Sequence, residues 1–186
     1  MSSTARYVSG DCQPTAVKCD PNYPIEVGDL LFLVPSGETG AGLARPASAM
    51  VNQTTVLWNQ GAFHDVFLGV ALQKNGAQAN ETLPLNSTIN HSPANTIECA
   101  TAGRFLYPCP ATAFVPGQLV GVNATTAGCP NQSVASVANS SLAIGRAAPA
   151  ADEIGVSLTQ VIVQIESTVF GGGAQTPVAG SSSGAV

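Results

Sequence analysis

The chain has 186 residues, of which 45% are hydrophobic and 9% are charged, and its formal net charge is −5. This length suits one domain with appended arms, or at most two small domains, and the hydrophobic fraction is enough to form a core. The six Lys and Arg residues are scattered singly, which excludes the clustered basic surface of nucleic-acid binding, and no apolar run approaches the ~20 residues of a membrane span.

Both ends of the chain are predicted to be arms. Residues 1–24 are rich in Ser and Thr, contain three prolines and show no sustained periodicity, and they lack the apolar region of a secretory signal peptide. At the other end, residues 167–186 are rich in Gly and Ser and are typical of a linker. The segment between them, 25–166, is predicted to be the folded domain.

The domain begins with a strand at 24–34, PIEVGDLLFLV, which is apolar on both faces and is therefore expected to be buried on both sides. A Gly-rich crossing follows, and then the single plausible helix, at 46–60. Pro46 suits a first helical turn, and Met50, Leu57 and Trp58 fall near one face. The segment 36–63 is interpreted as an insertion in the β-domain.

The middle of the chain alternates strands with polar loops. Residues 64–72 are predicted to be a strand, and 73–95 a polar excursion with one short strand at Glu81–Leu85. The stretch 96–122 is the organising element. It is interpreted as two extended runs joined by a tight return at Ala102-Gly103, then a Pro116-Gly117 turn of type II and a third strand.

Three further strands are predicted after this stretch. Residues 131–137 and 141–147 are interpreted as a pair of short strands joined through 138–140. The last strand is VSLTQVIVQIES, and its apolar face switches near Thr159-Gln160. That switch indicates either a β-bulge at this point or burial on both sides.

A weak internal repeat links the two halves of the domain. Val27-Gly28-Asp29-Leu30-Leu31 and Pro116-Gly117-Gln118-Leu119-Val120 share a turn-then-strand pattern, and each precedes an apolar strand with an internal glycine, Gly69 or Gly145. Chance similarity is the alternative. If the repeat is real, it predicts an all-β fold, a small curved barrel or sandwich, because glycines inside strands permit sharp bending.

The five cysteines leave two interpretations open. Cys12 with Cys19, and Cys99 with Cys109, are candidate disulfide pairs, whereas free buried thiols would suit a protein made in a reducing cytoplasm. The odd count leaves at least one thiol without a partner inside the chain. No Cys or His spacing is typical of a zinc ligand set, so no metal site is predicted.

No enzyme signature is present in the sequence. The one acid–base constellation combines His64-Asp65 with His91, Glu98 or a serine, and His64-Asp65 fits a turn better than a catalytic dyad. The sequence has no nucleophile elbow, H-E-x-x-H motif or phosphate loop. We therefore predict no catalytic residues and no cofactor.

The order of short motifs resembles the bacteriophage capsid decoration, or cement, proteins. The resembling segments are VGDLLFLV (27–34), FLGVAL (67–72), IECATAGRFLYP (97–108), VPGQLVGV (115–122), AIGRA (143–147) and VIVQI (161–165). Gln118 departs from the acid that the family favours, Cys99 replaces its usual Val, and neither the insertion nor the arms are covered.

The resemblance implies a non-enzymatic, β-tulip-like protein, often a homotrimer, on the outer surface of a capsid. Its partner would be the major capsid protein, whose subunits it would clamp together after synthesis in the host cytoplasm. The charged fraction is far below the roughly 25% of ordinary soluble domains. This low charge fits either a protein packed against neighbours or a surface of Ser, Thr, Asn and Gln.

An alternative from another class is a carbohydrate-binding or adhesive β-module on a virion or cell surface. That function would need exposed aromatic side chains forming a platform for sugars. Trp58 and the tyrosines at 7, 23 and 107 are the candidates, and they lie in unrelated segments. Under the capsid hypothesis, the candidate contacts between subunits are Tyr7, Tyr23, Trp58 and Phe170.

Overall fold

A computed structural model describes residues 5–10, 12, 14–75 and 95–170. They form eleven strands: β1 Arg6–Ser9, β2 Pro14–Lys18, β3 Leu30–Leu33, β4 Ala44–Pro46, β5 Phe67–Ala71, β6 Thr96–Ala100, β7 Ala102–Ala113, β8 Leu119–Val122, β9 Val134–Ser136, β10 Gly145–Ala147 and β11 Ser157–Glu166. The α-helix in these residues is α1, Val56–Asp65, and short 3-10 segments lie at Ala47–Ala49 and Ser140–Leu142. The predicted strand at Glu81–Leu85 lies outside the described residues.

The strands form two antiparallel sheets. One has six strands in the order β1-β7-β11-β10-β8-β9, and the other has five in the order β2-β6-β5-β3-β4. The predicted all-β fold is confirmed as a sandwich-like arrangement, without a closed barrel in the described part of the chain. The five-stranded sheet nevertheless curls, because its two edge strands approach at a single bridge between Cys19 and Ala44.

The main core lies between the two sheets. Phe32, Phe67 and Val70 from the five-stranded sheet belong to the same buried cluster as Phe105 and Val163 from the other sheet. A second buried cluster lines the opposite face of the curled sheet and includes Val17, Leu31, Leu68, Ile97 and Cys99. The prediction that the first strong strand is buried on both sides is therefore confirmed.

Each sheet contains a copy of one five-strand pattern. If the five strands of each copy are numbered one to five along the chain, their order across the sheet is one, five, four, two, three. This order holds for β2 to β6 in one sheet and for β7 to β11 in the other. Strand β1 is an addition at the edge of the second copy. The internal repeat seen in the sequence thus corresponds to a repeated topology.

The turns that lead into the second strand of each copy share their hydrogen bonds. The Asp29 N–H donates to the Glu26 carbonyl, and the Gln118 N–H donates to the Val115 carbonyl, both at 3.1 Å. Gly28 and Gly117, the third residues of these turns, have φ of 90° and 82°. Asp29 Oδ2 accepts the Glu26 N–H, and Gln118 Oε1 accepts the Val115 N–H. Gln118 therefore provides the acceptor that the acid provides in the first copy.

The two mid-strand glycines also occupy matching positions. Gly69 pairs with Leu31, and Gly145 pairs with Val120; each partner is the second residue of the strand that follows its turn. A methyl group at either glycine would overlap a carbonyl oxygen of the neighbouring strand, that of Ala100 or Gln164. Each turn-led strand is thus paired with the glycine-containing strand that follows it in the repeat.

Parts of the stretch predicted to be an N-terminal arm, 1–24, pair into the two sheets. Strand β2 pairs with β6 along Pro14–Lys18, and β1 pairs with β7. The sequences of these short strands show no alternation of apolar and polar residues, because β1 is exposed throughout and β2 buries only Val17. At the other end, Ser167 is buried and its N–H donates to the Thr101 carbonyl, so the domain continues beyond 166.

The predicted helix at 46–60 is displaced in the structure. Pro46 belongs to β4, inside the segment interpreted as an insertion at 36–63, and α1 begins only at Val56. Thr54 has a φ of 67°, which a helix cannot include, and the Thr55 side chain accepts the Trp58 N–H as an N-cap. The helix ends at Asp65, so His64-Asp65 is helical rather than the start of a strand.

Two predicted strand pairings are wrong. Residues Ala102-Gly103 make no return, because β6 and β7 belong to different sheets and the chain passes between them at Thr101. The strands β9 and β10 exist, but β8 lies between them. By contrast, the irregularity predicted near Thr159-Gln160 is confirmed, since the β11–β7 register shifts between Leu158 and Gln160.

Candidate interaction surfaces

The acid–base residues noted in the sequence have structural partners. His64 Nδ1 lies 2.6 Å from the Ala143 carbonyl, and the Thr168 hydroxyl donates to the His64 carbonyl, so His64 joins α1 to the second copy of the repeat. Glu98 is exposed on β6, and His91 lies outside the described residues. Within the described residues, no cluster of three or more His, Cys, Asp or Glu side chains could hold a metal ion, and no helix is long and apolar enough to span a membrane.

All five cysteines are free thiols, so the candidate disulfides Cys12–Cys19 and Cys99–Cys109 are not formed. Cys99 and Cys109 belong to different buried clusters, because the hairpin that would have placed them face to face does not exist. Burial raises the pKa of Cys19 to about 11 and that of Cys99 to about 12. These thiols are therefore protonated at neutral pH and behave as small apolar side chains.

The four candidate contact residues lie on separate elements. Trp58 on α1 is 67% exposed, Phe170 after β11 is 59% exposed, and Tyr7 on β1 is 47% exposed. Tyr23 is half-buried, with the Arg45 guanidinium 4.7 Å from its ring centre, so its ring supports the fold. Tyr107 is fully buried. The structure thus does not bring Trp58 and the three tyrosines together as an aromatic platform.

The first turn of α1 and the loop before it carry exposed apolar side chains, here together called the helix surface. It consists of Val51, Val56, Leu57 and Trp58, of which Val51, Leu57 and Trp58 are each more than 60% exposed. Large apolar side chains are scattered singly on most protein surfaces, whereas adjacent ones mark interaction sites. The helix surface is therefore the strongest candidate for a binding site.

A network of side-chain amides fixes the loop before α1. Asn59 Oδ1 accepts the Gln53 N–H at 2.7 Å, and Asn59 Nδ2 donates to Asn52 Oδ1 and to the Thr125 carbonyl. Thr54 is held between these bonds in a left-handed conformation. Such strain persists only where the surroundings enforce it, and it concentrates at functional sites.

The opposite side of α1 packs against the second copy of the repeat. Phe63 is fully buried, and Gln60 Nε2 donates to the Val122 carbonyl at the end of β8. With the His64 contact, these interactions leave little freedom for the helix to rotate. The exposed side chains of its first turn are consequently displayed from a rigid base.

The helix surface comes from a stretch of sequence without charged residues, and the charged side chain of α1 is Asp65, at the other end of the helix. No Asp, Glu, Lys or Arg occurs between Arg45 and Asp65, or between Arg104 and Arg146. The two segments meet where Asn52 Nδ2 donates to the Thr126 carbonyl at 2.5 Å. Burying such a surface carries no cost of desolvating charges.

A second exposed apolar group, here called the ladder tip, consists of Val115, Ile154 and Val156, which are 54%, 47% and 51% exposed. It lies where the β7–β11 ladder ends, at the pair Ala113 and Ser157. Strand β8 starts near this tip and ends at Val122, where α1 is attached. The ladder tip and the helix surface therefore lie at opposite ends of the six-stranded sheet.

The sequence predicts Trp58 as a candidate contact and does not indicate the remainder of either surface. Leu57 and Trp58 were assigned to one face of a helix, without a distinction between a core face and an exposed one. The long interval without charge after Arg104 was a signal that could have indicated an interface. Nothing local indicates that Val115 and Val156 lie beyond the same end of the β7–β11 ladder.

Comparison with known proteins identifies no relative: no family model, curated protein or solved structure matches this chain.

Proposed function

We propose that this protein is a structural component of a bacteriophage virion that binds the outer surface of the capsid and stabilises contacts between major capsid protein subunits. The observation that carries the proposal is the placement of two exposed apolar surfaces at opposite ends of one rigid sheet. The motif order that resembles capsid decoration proteins supplies the capsid as the partner. The resemblance also leads us to expect several copies together, three in a homotrimer.

A bridging protein needs two contact regions that cannot collapse onto each other. The β8 and β10 strands run between the helix surface and the ladder tip, and antiparallel pairing to β11 stiffens this connection. A rigid spacer transmits load between the bodies bound at its two ends. This arrangement suits a cement better than a flexible linker would.

The chemistry of the described residues also favours a structural role. His64 Nδ1 lies 2.6 Å from the Ala143 carbonyl, and the His64 carbonyl accepts the Thr168 hydroxyl. Burial holds the Cys19 and Cys99 thiols in their protonated form. These two thiols are therefore poor nucleophiles in the folded protein.

The stabilisation that such binding supplies can be estimated. A ligand that binds only the intact lattice stabilises it by about 2.7 kcal/mol per site when its free concentration is a hundredfold above Kd. Because a capsid offers many equivalent junctions, modest affinity at each of them is sufficient. The function therefore does not demand a very large interface at any single junction.

The test is binding to empty shells assembled from the major capsid protein of the same phage. Wild-type protein should sediment with the shells and appear as ordered density on their outer surface in electron micrographs. The double variant Val115→Ser/Val156→Ser should bind more weakly, because it removes apolar area from the ladder tip. Val27→Ser changes an equally apolar, 43% exposed residue elsewhere and should bind normally. Wild-type protein that remains in the supernatant would refute the proposal.

A further inference from the structure

We propose that the helix surface is where copies of this chain contact one another, with Trp58 of each copy buried against the helix surface of its neighbour. This assignment rests on the proposed function, which expects several copies of the chain on the capsid. It adds which surface of each copy contacts its neighbour. The occupant is a second copy of the chain, and the capsid is left to the ladder tip.

Charge decides which of the two surfaces suits self-contact. Each copy carries a formal net charge of −5, so two copies repel unless they meet through a region that lacks charge. The helix surface is built from the segments without Asp, Glu, Lys or Arg. At the ladder tip, Asp152 and Glu153 directly precede Ile154, and symmetric contact there would bring like charges together.

The side chains at the helix surface suit the centre of an interface. Trp is the residue type most often found to dominate binding energy, when water-excluding neighbours surround it. Leu57 directly precedes Trp58 and is 62% exposed, and Val51 is 68% exposed. Contact between copies would bury this apolar area on each of them, because every copy presents the same helix surface.

The helix surface is also organised before binding. The Thr55 side chain accepts the Trp58 N–H at 3.2 Å, and Asn59 holds the preceding loop to Asn52 and Thr125. Little backbone freedom is left to lose when a partner binds, so more of the burial appears as affinity.

Comparison of the two repeat copies gives an independent reason to assign α1 a binding role. In the first copy α1 lies between β4 and β5, whereas the corresponding β9–β10 connection contains only the 3-10 segment Ser140–Leu142. The second copy completes its sheet without a helix. The sheet topology therefore does not require α1.

The experiment uses the fact that Trp58 is the one tryptophan in the chain. Full-length protein is diluted over a wide concentration range and followed by sedimentation equilibrium and by tryptophan fluorescence. The expected result is reversible association in which the Trp58 emission moves to shorter wavelength and becomes protected from acrylamide quenching, with the same midpoint in both measurements.

Two variants and a matched control sharpen the measurement. Trp58→Ala, followed by sedimentation, and Leu57→Ser, followed by both methods, should each move the association midpoint to about tenfold higher concentration or more. Both side chains are exposed in the single chain, so the circular dichroism spectrum should not change. Val115→Ser removes a comparably exposed apolar side chain at the opposite end and should leave the midpoint unchanged.

Three outcomes would overturn the proposal: a monomer at every concentration, oligomers in which Trp58 is still quenched as in the monomer, or protection of Trp58 only when capsid shells are added. The last outcome would assign the helix surface to the capsid. If Trp58 is buried between copies but the protein does not bind shells, this proposal stands and the proposed function fails.

Discussion

Asp29 and Gln132 join the two copies of the repeat: Gln132 Nε2 donates to Asp29 Oδ1 at 2.7 Å. Asp29 lies in the turn before β3, whereas Gln132 lies just before β9 in the other copy. Leu30, next to Asp29, donates its N–H to the Asn131 carbonyl, so the contact has both a backbone and a side-chain part. Asp29 is only 2% exposed, which places a carboxyl group inside the joint between the copies.

The buried Asp29 predicts a pH-dependent contribution to stability. Burial raises the pKa of the Asp29 carboxyl, although hydrogen bonds from the Glu26 N–H and Gln132 oppose the shift. Because the folded pKa is the higher one, this contribution is fully present below the unfolded pKa of about 4 and is lost as pH rises through the folded pKa.

The measurement is urea unfolding of wild-type protein and Asp29→Asn at a series of pH values. The free energy of unfolding of the wild type, relative to the variant, should be greatest at low pH and should decrease as pH rises. A difference that stays constant across the series would show that Asp29 does not titrate as its burial predicts.

The matching glycines predict a steric cost that can be separated from backbone strain. Gly145→Ala should lower the free energy of unfolding by about 1–3 kcal/mol, because the new methyl group overlaps the Gln164 carbonyl. Gly69→Ala should cost more, since Gly69 also has a φ of 148°. Gly37→Ala is the control: its φ is 96° but no atom lies near the added methyl group, so about 1–2 kcal/mol is expected. Equal stability of Gly145→Ala and the wild type would contradict the repeat geometry.

Thiol reactivity should follow burial. Cys12 is partly exposed, whereas the other four cysteines are buried. Burial raises the pKa of Cys129 to about 11, as it does that of Cys19, and the thiolate is the reactive form. Brief alkylation of folded protein with iodoacetamide should therefore label Cys12 first, and all five should react in denaturant. Rapid labelling of Cys19 or Cys99 in the folded protein, detected by mass spectrometry, would contradict the described packing.

Binding to capsid shells should depend only weakly on salt. The side chains proposed for capsid contact, Val115, Ile154 and Val156, are apolar, with Asp152 and Glu153 next to them in sequence. Salt screens interactions between exposed charges, with a screening length of about 10 Å at 0.1 M, and does not weaken apolar burial. Co-sedimentation with shells should therefore change little between low and moderate ionic strength. Release by moderate salt alone would indicate an electrostatic contact elsewhere on the protein.

Features set by a few neighbouring residues were predictable from the sequence. The Pro116-Gly117 turn, the strand glycines and the irregularity near Thr159 each depend on local backbone preferences, and the structure confirms all three. Their shared order in the two halves was enough to indicate the repeat.

Long-range pairing was not predictable in the same way. Ala102-Gly103 fits a tight return, but Gly103 lies inside β7, with a φ of 136°, after the chain has crossed to the other sheet. The helix predicted at 46–60 includes Thr54-Thr55, whereas in the structure Thr55 is the N-cap at which the helix starts. Leu57 illustrates the limit for the site, because an apolar side chain has the same sequence signal in a core as at an interface.

The most direct test of the capsid-stabilising role is the temperature at which DNA leaves filled particles. Particles without the protein, particles saturated with wild-type protein and particles exposed to the same concentration of Val115→Ser/Val156→Ser are heated while a DNA-binding dye reports release. We predict that wild-type protein raises the release temperature and that the double variant raises it less, because it occupies fewer sites. Release at the same temperature from bare and saturated particles would contradict the stabilising role.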